Sequence, residues 1–265
     1  MIRIHFLGTC SGTEPMPGMH QCSLVFEIGG ALYWFDAGES CGYTAHTSGL
    51  NLLRSRAIFI SHMHIDHIGG FPHLLFCMQK LCVRQKEKLA FDNTLSVFVP
   101  RPEIFAAIKT VAGSSSAAGS GFLFDIDEHT VTDGVLYEDE RIRVTAHHNR
   151  HLGEDGSGGW HSYSYLIEAE GRRILFSGDV KSPAELDTLL GDGVDLLIME
   201  TGHHAVADVL AYAASRNVGK LRFNHHGREI LGDRAAAEEK AAAAAVTAAL
   251  DAKIAYDGMI EELGE

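Results

Sequence analysis

Short β-rich segments separated by glycine turns occur in both halves of this chain, and that repetition limits the folds open to it. In the first half the strand pattern covers residues 2–7, 23–28, 31–35, 57–60 and 95–99. It returns in the second half at residues 142–146, 163–167, 173–176, 194–199, 220–223 and 253–256. Apolar runs of this length between turn residues are typical of buried and half-buried strands. We therefore expect two similar halves, each built around a sheet.

Apolar residues at helical spacing alternate with these strands. They predict helices over residues 69–80, 102–112, 205–215 and 234–252, the last of which is rich in alanine. Residues 113–121 and 154–159 are predicted loops because they are rich in glycine. Neither loop has the length or the composition shift of an interdomain linker. We expect one domain over residues 1–265.

Composition excludes several classes of protein. Lys and Arg number 22 against 35 Asp and Glu, so the net charge of −13 argues against the broad basic face that nucleic-acid binding requires. No apolar run is long enough to span a bilayer, and the opening MIRIHF lacks the pattern of a secretion signal. We expect a cytoplasmic protein with no membrane partner. The five cysteines form no CxxC pair, which argues against a thiolate zinc site.

Histidine is unusually frequent, with 16 residues, and it is clustered. The segment SHMHIDH at residues 61–67 directly follows the predicted strand at 57–60. Because alternate residues of an extended segment face the same side, His62 and His64 are suited to hold one ion. A turn at Ile65 would direct Asp66 and His67 towards a second ion. This density of ligands after a buried strand predicts a metal site rather than a surface loop.

Three later segments offer further ligands, each just after a predicted strand. The first contains His147, His148 and His151. The second ends on Asp179, whose carboxylate could bridge two ions after the tight turn that the preceding glycine allows. The third is Asn224-His225-His226. A single His or Asp at a strand end is more often a turn residue than a ligand, so it is their combination with the first loop that points to metal.

The segments HMHIDH at 62–67, SGD at 177–179 and NHH at 224–226 resemble the metallo-β-lactamase fold hydrolases, and the resemblance covers nearly the whole chain. FLGTCSGTEP at 6–15, WFDAGES at 34–40, HIGGFPHLL at 67–75 and LSVFVPRPE at 95–103 are similar to the ribonuclease Z branch and its related phosphodiesterases. The resemblance implies an α/β fold, a four-layer αββα sandwich, with a dinuclear metal site at one edge of the two sheets.

By position, the resemblance implies two zinc ions, with manganese or iron as alternatives. It assigns the first ion to His62, His64 and His151, the second to Asp66, His67 and His225, and the bridge to Asp179. The family's later histidine ligand lies a few residues past a strand end, which favours His151 over His148. His147, His148 and His161 would then lie behind the ligands or on the surface. His225 is favoured over His226 because the predicted strand ends nearest to it.

The implied reaction is hydrolysis by a hydroxide shared between the two ions, oriented by Asp66. A comparable histidine of the ribonuclease Z branch protonates the leaving group, and His203 has the matching spacing to His225. The alternative is that His203 and His204 only cap the helix that starts near Ala205.

The substrate is expected to be a small phosphodiester or another small ester. Ribonucleases Z hold transfer RNA with a projecting basic arm, inserted in the bacterial form between the later His and the bridging Asp. Here the interval from His151 to Asp179 holds only an acidic glycine-rich loop and a hairpin, so intact transfer RNA is not expected as substrate. Alternatives are a carboxylic ester or lactone hydrolase, a regulatory metal-binding protein, and a mononuclear iron protein. Members of this branch often form homodimers, so a homodimer is possible here, but the sequence pattern does not identify an interface.

Overall fold

The computed structural model describes residues 1–113, 121–154, 156 and 158–264, and it divides the chain into two compact units. The first unit comprises Met1–Gly8, His20–Val131 and Asp257–Glu265. The second comprises Thr9–Met19 and Thr132–Tyr256. Most of the predicted loop at 113–121, and residues 155 and 157 of the loop at 154–159, lie outside the described residues.

Fourteen strands and eight α-helices are described. The strands are β1 (Ile2–Gly8), β2 (Ser23–Ile28), β3 (Ala31–Phe35), β4 (Ser55–Phe59), β5 (Thr94–Val99), β6 (Asp125–Thr130), β7 (Gly134–Glu138), β8 (Ile142–His148), β9 (Tyr163–Ala169), β10 (Arg172–Phe176), β11 (Val194–Thr201), β12 (Val218–His226), β13 (Asp251–Ile254) and β14 (Ile260–Leu263). The helices are α1 (Cys41–Thr47), α2 (Ile65–Ile68), α3 (Phe71–Gln85), α4 (Pro102–Gly113), α5 (Asp187–Leu190), α6 (Val206–Ala214), α7 (Arg228–Gly232) and α8 (Arg234–Ala248). Within the described ranges, none of these helices has both the length and the apolar character needed to cross a membrane.

The first unit contains a seven-stranded mixed sheet in the order β14-β1-β2-β3-β4-β5-β6. Strands β3 to β6 are parallel, whereas β14, β1, β2 and β3 pair antiparallel in turn. One face packs against α1, α3 and α4, with Trp34 of β3 among the buried side chains of that core. The Trp34 indole donates a hydrogen bond of 2.9 Å to Ser55 Oγ, which satisfies its only polar atom. Helix α3 supplies Phe71, Leu75 and other residues at helical spacing to the same core.

The second unit repeats this architecture with a seven-stranded sheet in the order β13-β12-β11-β10-β9-β8-β7. Strands β10 to β13 are parallel and β7 to β10 are antiparallel. Strand β8 therefore runs in the same direction as β10, β11 and β12. The carboxyl ends of these four strands lie at one edge of the sheet, and the predicted ligands of this unit follow or occupy those ends.

Most predicted elements agree with the structure, but several observed elements differ from the sequence pattern. The helix predicted to continue to residue 252 ends at Ala248, because Ala249 adopts a left-handed backbone conformation. The predicted last strand is displaced towards the N-terminus, to Asp251–Ile254, where it pairs with β12. Strands β6, β7 and β14 were not predicted, since each is at or near a sheet edge and carries many polar residues.

Candidate metal centre

The histidine loop of the first unit begins where β4 ends. His62 is fully buried, and its Nε2 lies 3.0 Å from Nδ1 of His64. The backbone is extended at His64, and α2 starts at the next residue. Two donors on one tetrahedral zinc ion, each about 2.1 Å from it, are about 3.4 Å apart. The spacing of these two imidazoles therefore fits a shared ion.

A second pair of donors lies on α2. Asp66 and His67 are buried neighbours, and Asp66 Oδ2 is 3.5 Å from His67 Nε2. The turn predicted at Ile65 is thus the first turn of a helix, and Ile65 itself is exposed. The loop and the helix present two donor pairs, as a two-ion arrangement requires.

Asp36 orients this loop and was not predicted as a site residue. It is fully buried directly after β3, with a positive φ of 60°. Its Oδ1 accepts a hydrogen bond from Ser61 N at 2.7 Å, and its Oδ2 accepts from Ser61 Oγ at 2.8 Å and from His67 Nδ1 at 2.7 Å. A carboxylate that accepts from one ring nitrogen leaves the other free to bind a metal. The available signal was an acidic residue at a strand end within WFDAGES.

In the second unit, the Asp179 carboxylate lies between two imidazoles. The residue is 2% exposed. Its Oδ1 lies 3.3 Å from His225 Nδ1, and its Oδ2 lies 3.7 Å from His151 Nε2. Each carboxylate oxygen therefore faces a different imidazole, at a separation near that of two donors on one ion.

The loop after β8 brings His151, not His148, to Asp179. The buried Asn149 shapes it: its Oδ1 accepts from His151 N at 3.1 Å and from Ser162 Oγ at 2.7 Å. His148 instead directs its Nδ1 to Asp133, 2.7 Å from Oδ2.

His225 and His226 have different environments at the end of β12. His225 has a positive φ of 48°, and its ring lies against Gly202, where a Cβ would come within 2.6 Å of Nδ1. His226 Nε2 donates to the Ala255 carbonyl at 2.8 Å, and its Nδ1 lies 3.3 Å from Thr201 Oγ1. Burial lowers the pKa of His226 to about 4, so this ring is neutral and held by the protein. Only the His225 ring faces Asp179 among these two.

His203 lies after β11 and is held by Glu200. Glu200 Oε2 accepts from the His203 backbone N–H at 2.9 Å, and Oε1 accepts from His203 Nδ1 at 3.1 Å. The His203 ring does not cap a helix, because α6 begins after Ala205 without a side-chain cap. His204 Nε2 bonds the Val180 carbonyl at 2.9 Å.

The pKa shifts of this pair favour an ionised Glu200 carboxylate and the protonated form of the His203 ring beside it. Burial opposes ionisation of Glu200, but the hydrogen bond from His203 and the neighbouring His225 imidazole outweigh it and lower the pKa of Glu200 to about 2. The hydrogen bond to Glu200 in turn raises the pKa of His203, against the effect of burial. Glu200 was not predicted as a site residue, and its role in orienting the His203 ring depends on the tertiary structure.

Comparison with known families agrees with this architecture. Residues 2–211 match the family described as Anti-Pycsar protein Apyc1, and the chain belongs to that family. Ribonuclease Z of Listeria innocua is 28% identical over 193 residues, which are 72% of this chain and 54% of that protein. The chain thus spans about half the length of the curated relatives it matches.

Solved structures show the same fold. The short form of human tRNase Z has a TM-score of 0.71 at 19% identity, with 99% of this chain and 100% of that chain covered. The metallo-β-lactamase fold protein YhfI from Bacillus subtilis has a TM-score of 0.73 at 16% identity, with 98% of each chain covered. These findings confirm the predicted metallo-β-lactamase fold and the predicted resemblance to ribonuclease Z. The relatives that the chain resembles are hydrolases, in agreement with the predicted class of enzyme.

Proposed function

We propose that this protein is a metal-dependent phosphodiesterase of the ribonuclease Z-like branch that acts on small diesters. The observation that carries the proposal is the geometry of Asp179, whose two carboxylate oxygens face the imidazoles of His151 and His225 at 3.7 and 3.3 Å. A carboxylate between two donor sets is the bridge of two-metal hydrolases. Similarity to ribonuclease Z supports the phosphodiester as the bond that is cleaved.

The proposed ligand set is the one that the family resemblance implies, in one domain over residues 1–265. One ion would be held by His62, His64 and His151, the other by Asp66, His67 and His225, with Asp179 shared. The nitrogen and oxygen donors suit zinc best, and manganese or iron are the alternatives. Elemental analysis of Asp179→Ala should show the loss of at least one ion together with activity. Two ions retained in that variant would contradict the bridge.

When bound, two divalent ions lower the pKa of water and neutralise charge on the phosphoryl oxygens. The chain's own residues supply orientation and a proton. Asp66 would orient the attacking water. His203 Nδ1 donates to Glu200, which leaves Nε2 to donate a proton to the departing oxygen.

A proton donor matters most when the leaving group is a poor one. His203→Ala should therefore reduce hydrolysis of alkyl phosphodiesters by about a hundredfold to ten-thousandfold and that of nitrophenyl diesters much less. Equal losses on both substrates would limit His203 to a structural role.

Transfer RNA is the substrate to compare with small diesters. The hairpin of β9 and β10 occupies the interval where the bacterial arm would be inserted, and the chain carries a net charge of −13. Contacts to several phosphates make binding fall steeply with salt, with a log–log slope of roughly −0.7 to −0.9 per contact. We expect kcat/KM on bis-(p-nitrophenyl) phosphate to change little with salt and to exceed that on precursor transfer RNA. Fast, strongly salt-sensitive processing of the RNA would instead indicate ribonuclease Z activity.

The alternative function is a carboxylic ester or lactone hydrolase. An aryl ester and a lactone, assayed in parallel with the diesters, test this alternative.

A further inference from the structure

A cleft in the second unit lies beside the two loops that carry His151 and Asp179. It has a volume of about 630 Å³ and is lined by residues of two segments, 147–150 and 181–188. Arg150 precedes His151 in the chain, and Lys181 follows Asp179 by two residues. Two residues span at most about 7 Å, so both cations are attached to the backbone next to the proposed ligands. A substrate held at Asp179 would have this cleft within reach of its other substituents.

Arg150 and Lys181 differ from the other arginines of this unit, which are paired with carboxylates. Both are exposed, and in the part of the chain that the structure describes neither side chain takes part in an ion pair or hydrogen bond. Other arginines of the unit are engaged by carboxylates, as in the Arg216–Asp187 pair at 3.0 Å. In a chain with 35 acidic and 22 basic residues, two cations without a carboxylate partner on one cleft are available for an external anion.

The carboxylates near the cleft are committed to the protein. Glu185 Oε2 accepts from the backbone N–H groups of Lys181 at 3.0 Å and Ser182 at 3.4 Å. Asp133 accepts from the backbone N–H of His148 at 2.7 Å and faces its ring nitrogen at 2.7 Å. Burial opposes ionisation of Asp133, but these bonds outweigh it and lower its pKa. Two cations against the single carboxylate of Glu185 leave the lining positively charged.

We propose that this cleft binds a second phosphate of the substrate, so that the preferred diester carries a phosphomonoester in addition to the bond that is cleaved. The proposal rests on the proposed phosphodiesterase function and adds a substrate class to it. Arg150 and Lys181 recognise the second phosphate by charge-assisted hydrogen bonds. Thr188, also in the lining, offers a hydroxyl donor.

The test uses two substrates that differ only by one phosphate, and the metal-loaded protein. These are thymidine 5′-(p-nitrophenyl phosphate) and the same compound with a 3′-phosphate. We expect a higher kcat/KM for the 3′-phosphorylated compound. Arg150→Gln and Lys181→Met should each reduce this preference about threefold, and together about tenfold, as for partly exposed charge pairs. Lys253→Met, which removes an exposed cation of the same unit outside the cleft, should leave the preference unchanged.

Calorimetry with the two products separates this proposal from the proposed function. Thymidine 3′,5′-bisphosphate should bind more tightly than thymidine 5′-phosphate, and the double variant should lose that difference. If neither substrate is hydrolysed, the proposed phosphodiesterase function is wrong. The difference in binding between the two products then still tests whether the cleft binds a phosphate. The phosphate site would be overturned if the two substrates were hydrolysed equally and the two products bound equally. It would also be overturned if the double variant kept the preference for the 3′-phosphorylated compound. Neither result would contradict the proposed phosphodiesterase function.

Discussion

Replacing Asp36 with asparagine changes one oxygen atom of a fully buried side chain and should weaken metal binding. Asp36 Oδ2 faces His67 Nδ1 at 2.7 Å. Because a carboxylate only accepts, the proton lies on Nδ1, and Nε2 keeps a lone pair for a metal. With its Oδ1 still bonded to Ser61 N, the asparagine would place an NH₂ group against Nδ1. That arrangement requires the other tautomer, with the proton on Nε2.

The size of the effect follows from the bonds that are lost. A hydrogen bond to a charged group contributes about 1.5–3 kcal/mol, which corresponds to about a tenfold to hundredfold change in an equilibrium constant. Residues that orient metal-binding histidines typically account for about the same range of metal affinity. Asp36→Asn should therefore weaken zinc binding by about tenfold to a hundredfold, and reduce the free energy of unfolding of the metal-free protein by about 1.5–3 kcal/mol.

Zinc affinity can be measured by competition with a chromophoric chelator, and stability by urea unfolding. The matched control is Asp195→Asn. Asp195 accepts from Arg173 N at 2.8 Å and from Arg172 Nη1 at 3.0 Å, near the start of β11 and at the opposite end of that strand from Glu200. This control should lose stability and keep its zinc affinity. A folded Asp36→Asn protein with the zinc affinity of the wild type, or an equal loss of affinity in the control, would refute the reasoning.

Two further predictions concern ionisable side chains. The hydrogen bond to Glu200 is the largest cause of the raised pKa of His203, so Glu200→Gln should lower that pKa. Since a general acid loses its proton as pH rises, the alkaline limb of kcat/KM for an alkyl diester should move to lower pH; an unmoved limb would contradict the pairing. Asp251 binds the guanidinium of Arg222, which is 1% exposed and lowers the pKa of Asp251. Asp251→Asn should cost about 2 kcal/mol at pH 7, and the difference from the wild type should shrink below about pH 4, as Asp251 of the unfolded chain becomes protonated. Urea unfolding at pH 7 and pH 3 tests this, and a constant difference would contradict it.

The sequence was sufficient where information is local. Apolar runs bounded by glycine located most central strands, because buried strands of parallel sheets need nearly continuous hydrophobic residues. The loop from His62 to His67 was recognisable for a similar reason, since its ligands lie within six residues and follow a buried strand. Strands at or near the sheet edges, such as Asp125–Thr130, carry mostly polar residues and form because a neighbouring strand supplies hydrogen bonds.

The sequence analysis favours His151 and His225 among neighbouring histidines, and the tertiary structure supplies the physical reason. His148 and His151 differ little as sequence, but only the loop held by Asn149 turns His151 towards Asp179. His225 and His226 are adjacent, and the positive φ at His225 together with the absence of a side chain at Gly202 directs the first ring to the carboxylate.

The sequence by itself therefore determined which segments become the central strands and where the ligand-rich loop lies, because hydrophobic periodicity and residue density are properties of consecutive residues. Only the tertiary structure showed why His151 and His225 face Asp179, that Asp36 and Glu200 orient histidines, and that Arg150 and Lys181 line one cleft. Those relations join residues up to 46 positions apart, as between Asp179 and His225. Their geometry depends on strand register and backbone conformation, which no local pattern encodes.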